Sequence, residues 1–221
     1  MLSRALVIRV LLSAVCAICA SHLAGAQIDP PSALSEFSGC AHHTCAWSPL
    51  TKHKTFSNGD LSYSVETNEK QDAGGDFVLR RAGKELLRFP LDGLSSSASV
   101  VWSNDKKNFA VTWAFGGDET GFRVRAFHIE GNTTAELPAT RAARDDFDAR
   151  YGCEERSNNV QAYSWFSDSR TLVLAVSVYS NGDCGRQPGR TEGYVVDAPS
   201  GRVLKRWNLK QLHAYMAANP E

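Results

Sequence analysis

The chain has 221 residues, with 24 basic and 24 acidic side chains and 43% hydrophobic residues. An even charge balance gives no indication of the basic surface that nucleic-acid binding uses, so no nucleic-acid partner is expected, and the composition is that of a globular protein rather than a disordered one. At 10% aromatic residues, there is ample material for a core.

In chain order, the first expected element is a secretory signal peptide. Arg4 and Arg9 flank an apolar stretch from Ala5 to Ala20, and Ala24-Gly25-Ala26 precedes Gln27. A basic start, a short apolar run and an A-x-A site are the three parts of such a signal, with cleavage expected after Ala26. The uninterrupted apolar run Val10–Ala20 is too short to span a bilayer. No membrane insertion is expected after cleavage, and the location read from the sequence is periplasmic or secreted. Loss of 26 of the 221 residues leaves 195, enough for one domain, and loss of Arg4 and Arg9 takes the charge balance to −2.

The exported chain keeps Cys40, Cys45, Cys153 and Cys184. Four cysteines in an oxidising compartment allow two disulfides and three pairings. Cys40-Ala41-His42-His43-Thr44-Cys45, with His53 nearby, offers good zinc or copper ligands. In an exported chain the pair is expected to oxidise instead, and Ala46 after Cys45 does not match haem attachment. No metal or cofactor is expected.

Residues 27–44, with Pro30, Pro31 and several serines, read as a leader with little regular structure. From about residue 45 the pattern is strand and turn. Phe109, Val111, Trp113 and Phe115 alternate with Ala110, Thr112 and Ala114, and Leu172–Val178 is nearly all apolar, as in a strand covered on both faces. Three segments read as hairpins with glycine at the turn: 77–81 with 85–89 around Gly83, 122–129 with 133–137 around Gly131, and 194–197 with 202–207 around Gly201. Two segments read as helix. One lies at about 138–152, ended by Gly152, with Ala143, Phe147 and Tyr151 as a narrow apolar seam. The other is Asn208–Ala217, capped by Asn208, with Leu209, Leu212 and Met216 facing inward.

The chain also repeats itself. Residues 101–111 align without a gap to residues 164–174, sharing a Trp (Trp102, Trp165), an Asp three residues on (Asp105, Asp168), a basic residue two further (Lys107, Arg170), and alternating apolar positions. Each copy precedes a hairpin, which makes four strands per unit. An earlier unit, from about Trp47 to Leu91, has the same strand plan without the Trp/Asp signature.

On these residues the chain resembles β-propeller blades of the WD-repeat or TolB-like type, whose repeats carry a similar W-S-x-D-G-K turn, although the glycine is missing from both copies. The resemblance covers about residues 45–207. Three units do not close a ring, since closed propellers take four to eight blades. The expected fold is therefore all-β: an incomplete, three-unit, propeller-like arrangement of four-stranded antiparallel sheets, with a helical insertion and a short C-terminal helix; a sandwich assembled from the same sheets is the alternative. The blade plan implies the pairing Cys153–Cys184, leaving Cys40–Cys45 as a local bridge. It also implies that the segments 68–76, 92–98, 116–121, 138–159 and 180–191 open toward one end, opposite the turns 103–107 and 166–170.

No catalytic motif is apparent. Ser103-Asn104-Asp105-Lys106 matches S-x-x-K but lies at a strand-to-turn junction, without the partner motifs of penicillin-recognising enzymes. Asp145, Asp146, Asp148, Glu154 and Glu155 interleave with arginines and read as a solvated helix face. Asn132-Thr133-Thr134 is a glycosylation sequon on a hairpin turn.

The expected function is that of a non-enzymatic protein-binding module. In size and plan the chain is similar to periplasmic immunity proteins, which implies an inhibitor neutralising a toxin in the cell envelope. Rival readings are an accessory or scaffold subunit of an envelope complex and an envelope hydrolase with an unrecognised site. The partner is expected at the long-loop end, on Asp145, Asp146, Tyr151, Arg186 and Arg190, because tyrosine and arginine most often dominate interface energies.

Overall fold

The computed structural model describes residues 44–47, 55–67, 74–115, 121–153, 158–178 and 190–219, all within one compact unit, Leu34–Glu221. The signal peptide, residues 27–43 of the leader, and Cys40, His42, His43, His53, Cys184 and Arg186 lie outside them.

Among the described residues, three antiparallel sheets follow one another along the chain in a propeller-like arrangement. The first sheet is a meander of β2 (Thr55–Asn58), β3 (Leu61–Thr67), β4 (Gly74–Arg81) and β5 (Lys84–Asp92). The second contains β6 (Leu94–Trp102), β7 (Asn108–Phe115), β8 (Gly121–Glu130) and β9 (Thr133–Leu137). The third contains β10 (Asn158–Trp165), β11 (Thr171–Val178), β12 (Thr191–Asp197) and β13 (Arg202–Asn208). Helix α1 (Ala139–Tyr151) links the second sheet to the third, and α2 (Leu209–Ala218) follows the last strand.

Each expected hairpin forms where a left-handed turn residue permits it. Gly83, Gly131 and Gly201 have φ of 81°, 55° and 71°, a region a side chain rarely adopts. Lys106 and Ser169 occupy the turn positions that carry glycine in the resembled repeat, and both are left-handed there, with φ of 60° and 54°. Such a conformation in a residue with a Cβ costs on the order of 1 kcal/mol. Lys106 is exposed, so Lys106→Gly relieves strain without removing a packed group. It is expected to raise stability by about 0.5–1 kcal/mol, less the added entropy of the unfolded chain, as measured by the urea midpoint.

The alternating faces of the strands build three cores. Phe109, Val111 and Trp113 of β7 point with Trp102 toward the first sheet, where Tyr63, Phe77, Leu79 and Phe89 meet them. Ala110 points the other way, into a second core with Trp165, Leu172, Leu174 and Val176 of the third sheet and Ala139, Ala143 and Phe147 of α1. Val173 and Ala175, on the opposite face of β11, join Val195, Trp207 and Leu212 of α2 in a third. The strand read as covered on both faces is covered on both. Trp102, Trp113 and Trp165 are all buried, and Trp165 Nε1 donates to the Val101 carbonyl of the neighbouring sheet at 3.1 Å.

Three units that do not close a ring leave two outward faces to be finished, and the chain finishes them differently. The outer face of the third sheet is covered by α2, whose start carries a complete capping box: Asn208 accepts from the Gln211 N–H and the Gln211 side chain accepts from the Asn208 N–H. The other face of the first sheet carries a charge network, with Glu66 accepting from Arg80 at 2.7 Å and from Arg88 at 2.8 Å, and Arg88 also reaching Asp76 at 3.1 Å. Polar outer faces of this kind are how stacked repeats end.

Three sequence-based expectations differ from the structure. The first unit begins at Thr55, because β1 (Thr44–Trp47) pairs with β6 instead, with Thr44 opposite Val101 and Trp47 opposite Ala98. The middle sheet therefore has five strands, and Thr44, assigned to the leader, is in one of them. Residues 92–98 are not a loop: Gly93 alone, at φ 68°, joins β5 to β6, so the chain passes straight from one sheet to the next. Leu209 does not face inward but is 44% exposed. Helical side chains lean over the preceding turn, and the first helical residue has none beneath it, so the buried seam starts at Leu212.

The hairpin end of the third sheet is held by Asp197, which accepts from Arg170 and Ser200 across two turns. The Arg170 hydrogen bond, then that of Ser200, holds its carboxyl down at about 2. An unfolded aspartate titrates near 3.9, at about 4. The folded value is the lower one, so this contribution to stability is complete above about pH 4 and is lost as pH falls toward 2. Asp197→Asn is expected to lower the urea midpoint at pH 6 and to flatten its decline between about pH 4 and 2.

Candidate functional site

The described residues enclose a cleft of about 950 Å³ at the end of the sheets where β5, β7 and β9 finish and β8 and β10 begin. Topology places the β3–β4, β7–β8 and β11–β12 connections at this same end and the tight hairpin turns at the other. The cleft is lined by the ends of the first two sheets and the first half of α1.

Its chemistry is basic and aromatic. Strand β8 alternates Phe122, Arg123, Val124 and Arg125, so period two puts both arginines on the face toward the first sheet while Val124 enters the second core. In register, Arg123 lies opposite Trp113 and Phe115 opposite Gly121. The Arg123 guanidinium lies 4.1 Å from the Phe115 ring centroid. A planar guanidinium stacked this way keeps its N–H edge open to a further partner. Arg125 lies over Phe89 at 4.6 Å and is engaged by Glu136 of β9 through both carboxylate oxygens.

Helix α1 contributes Arg141 and Arg144. Its register follows from burial: Ala139, Ala143 and Phe147 are buried at spacing four, which leaves 141 and 144 turned away from the core. Pro138 caps the helix without a side-chain hydrogen bond, and no acidic residue lies in its first turn. Neither the cap nor the first turn therefore brings a negative group to the positive end of the helix. Among the described residues, Arg123, Arg141 and Arg144 have no carboxylate partner, whereas Arg80, Arg88, Arg150, Arg170 and Arg206 each do.

Of the residues expected from sequence to contact a partner, Asp145, Asp146 and Tyr151 lie further along α1, Arg190 precedes β12 and Arg186 lies outside the described residues; Asp146, Tyr151 and Arg190 are engaged within the fold. Asp146 accepts from Arg206 Nε at 2.7 Å, fastening the helix to β13. The Tyr151 hydroxyl donates to Glu192, and its ring lies under Arg190 at 4.2 Å. Arg190 and Arg150 donate to Glu192 at 3.1 and 2.6 Å, and the Tyr194 hydroxyl approaches it at 3.4 Å. Glu192 is the hub, 8% exposed at the side chain. Burial by itself would raise its pKa, but the hydrogen bonds from Tyr151 and Arg190 and the charges of Arg150 and Arg190 outweigh burial and hold it below the usual glutamate range. A buried carboxylate satisfied this way locks the end of α1 to the third sheet. Asp145 is exposed on the helix.

Cys153, directly after α1, is disulfide-bonded. The cysteine at the other end is not among the residues whose side chains are described, so neither Cys153–Cys184 nor Cys40–Cys45 is placed. The cluster from Cys40 to Cys45 lies outside the described side chains, and among those described no group of His, Cys, Asp and Glu is arranged to hold a metal. Ser103 sits in a turn, donating to Asp105 Oδ1 at 2.6 Å and accepting from the Asn108 N–H at 2.9 Å. That is the Asp turn of the repeat, away from any helix. Asn132 is exposed on the β8–β9 turn.

The cleft arginines escaped sequence reading although a signal existed: Arg123 alternates with apolar neighbours, and Arg141 and Arg144 share a helix face at spacing three. What joins them is the packing of α1 beside β8. No family model, curated protein or solved structure matches the chain, so the function rests on the geometry.

Proposed function

We propose that this chain is an exported, non-enzymatic protein-binding module that recognises its partner at the long-loop end through the arginine–aromatic cleft. An inhibitor that neutralises a toxin in the cell envelope is the form of this reading we favour, given the export signal and the small size of the chain. The observation that carries the proposal is the set of three arginines without carboxylate partners among the described residues, arranged with Phe115 and Trp113 around a concave surface. Arginine and large aromatics are the groups that most often dominate interface energies, and a concave site excludes water from them. Strands and a helix carry these groups, which limits the ordering cost of binding.

The test uses the full chain. Partners captured from envelope extracts of the native host are identified by mass spectrometry, and binding is remeasured with both proteins purified. A one-to-one complex is expected, with affinity reduced about ten-fold or more by Arg123→Glu with Arg144→Glu, and unchanged by Asn132→Ala at the opposite end. Melting curves of each variant establish that it is folded. A complex indifferent to the cleft reversals and lost on Asn132→Ala would overturn the proposal.

A further inference from the structure

We infer that the occupant of the cleft is an acidic segment of the partner, a short run of chain carrying several carboxylates beside an aromatic or apolar side chain; the inference rests on the binding-module reading above. The charge inventory comes first. Four arginines line the cleft against two carboxylates, Asp92 and Glu136. Glu136 is taken by Arg125. Arg123, Arg141 and Arg144 remain as cations without a counter-ion from the described chain, on a protein whose other described arginines mostly meet a carboxylate. Guanidinium groups match carboxylates as paired forks, and such pairs strengthen as water is excluded.

The spacing argues for several carboxylates rather than one small anion. Arg141 and Arg144 are three residues apart on α1, a rise of about 4.5 Å, while Arg123 projects from a different element, β8. The positive charge thus comes from two walls of the cleft, a strand and a helix. A segment with several carboxylates offers a separate partner to each wall. An extended segment with acidic side chains on both sides satisfies both.

The aromatic groups supply the second half of the recognition. Phe115 and Phe122 are only half-buried and both line the cleft. The Arg123–Phe115 stack shows that one of these rings already carries a guanidinium. An apolar side chain on the ligand has a surface to cover there, which a polyphosphate does not use. The charge balance of the whole chain also lacks the excess of basic residues that a phosphate backbone requires.

The experiment uses the full chain with its disulfides intact. The probe is the fluorescein-labelled peptide Glu-Glu-Phe-Glu-Glu-Phe, read by anisotropy at about 50 mM salt, where surface charges are weakly screened. The same peptide with lysine for glutamate, inorganic phosphate, pyrophosphate and a single-stranded DNA hexamer serve as competitors. Saturable binding is expected, weakened about ten-fold or more by Arg123→Gln with Arg144→Gln and falling with added salt. Arg144→Lys is expected to fall between, because it keeps the charge and loses the fork. The Asn132→Ala variant, on the β8–β9 turn at the opposite end of the sheets, is expected to bind as the parent does.

Absence of peptide binding, or binding unchanged in the Arg123→Gln/Arg144→Gln variant, would overturn the inference. So would displacement by pyrophosphate or DNA at lower concentration than by unlabelled peptide. A protein complex that depends on the cleft but is not displaced by the acidic peptide overturns this chemistry alone and leaves the binding module standing. A peptide that binds as expected, with no protein complex dependent on the cleft, overturns the function instead.

Discussion

Trp165→Ala is expected to lower stability by about 3–5 kcal/mol, the usual cost of emptying a large aromatic from a packed core. Trp165 is 7% exposed and lies in the core between the second and third sheets, with Leu172, Leu174, Val176 and Phe147 in the same cluster. Its indole N–H also donates to the Val101 carbonyl, so truncation removes a bond that ties one sheet to the next. The two contributions separate in Trp165→Phe, which keeps most of the apolar volume and loses the donor; about 1–2 kcal/mol is expected. Trp102→Ala tests the equivalent position between the first and second sheets, where Trp102 packs on Phe109 at 4.9 Å and Tyr63 at 5.9 Å. Set against a total of about 5–15 kcal/mol for a typical domain, either truncation removes a large share. Urea unfolding followed by fluorescence measures both, and unchanged midpoints for both alanine variants would mean that the two tryptophans do not hold the sheets together.

A chain ending at Asn208 is expected to fold poorly or not at all. Helix α2 covers Val173, Ala175, Val195 and Trp207 on the outer face of the third sheet, and all four are buried. Uncovering three large apolar side chains costs on the order of 5 kcal/mol. It also leaves an apolar face on an open-sided stack, which promotes association. The point version is Leu212→Ala, at 1% exposure, expected to cost about 2–5 kcal/mol. The fit is close from the other side too: a Cβ on Gly193 would stand 3.1 Å from Leu212 Cδ1 and 3.2 Å from Trp207 Cβ, so Gly193→Ala crowds the same seat. Circular dichroism, dye binding and urea midpoints of the truncated chain check this. A truncated protein with an unchanged midpoint and no dye-binding surface would show that α2 is an appendage.

The carboxylates that close turns and bridge sheets give the fold a common acid sensitivity. Asp105 and Asp168 are held below the ordinary aspartate range: burial opposes this, but the Ser103 hydroxyl and Lys107 N–H for Asp105, and the Thr171 and Arg170 N–H groups for Asp168, prevail. Both act in the sense worked out for Asp197, contributing above about pH 4 and fading below it.

Most of the fold was legible in the sequence because its strands are specified by short-range physics. Alternation over Phe109–Phe115, the apolar run Leu172–Val178 and the turn glycines at 83, 131 and 201 each act within a few residues, and each formed the element expected. The Ala139–Tyr151 helix was readable from its spacing-four seam and the glycine that ends it, and α2 from its Asn208 cap. The internal repeat carried the plan of successive sheets, since equivalent Trp and Asp positions demand equivalent turns.

Tertiary structure alone decided the rest, and the physical reason is distance along the chain. Thr44–Trp47 is too short to show a period, and its partner Ala98–Val101 is more than fifty residues away, so nothing local assigns it to the second sheet. Glu192 reads as one of two charges in a mostly apolar strand; only when α1 lies across β12 do Arg150 and Tyr151 come from some forty residues away to make it a hub. The same packing engaged Asp146, Tyr151 and Arg190 inside the fold while leaving Arg123, Arg141 and Arg144 facing a common cleft. A sequence states which side chains are charged. Which charges find partners within the chain, and which are left for another molecule, is settled only when the sheets and helices have packed.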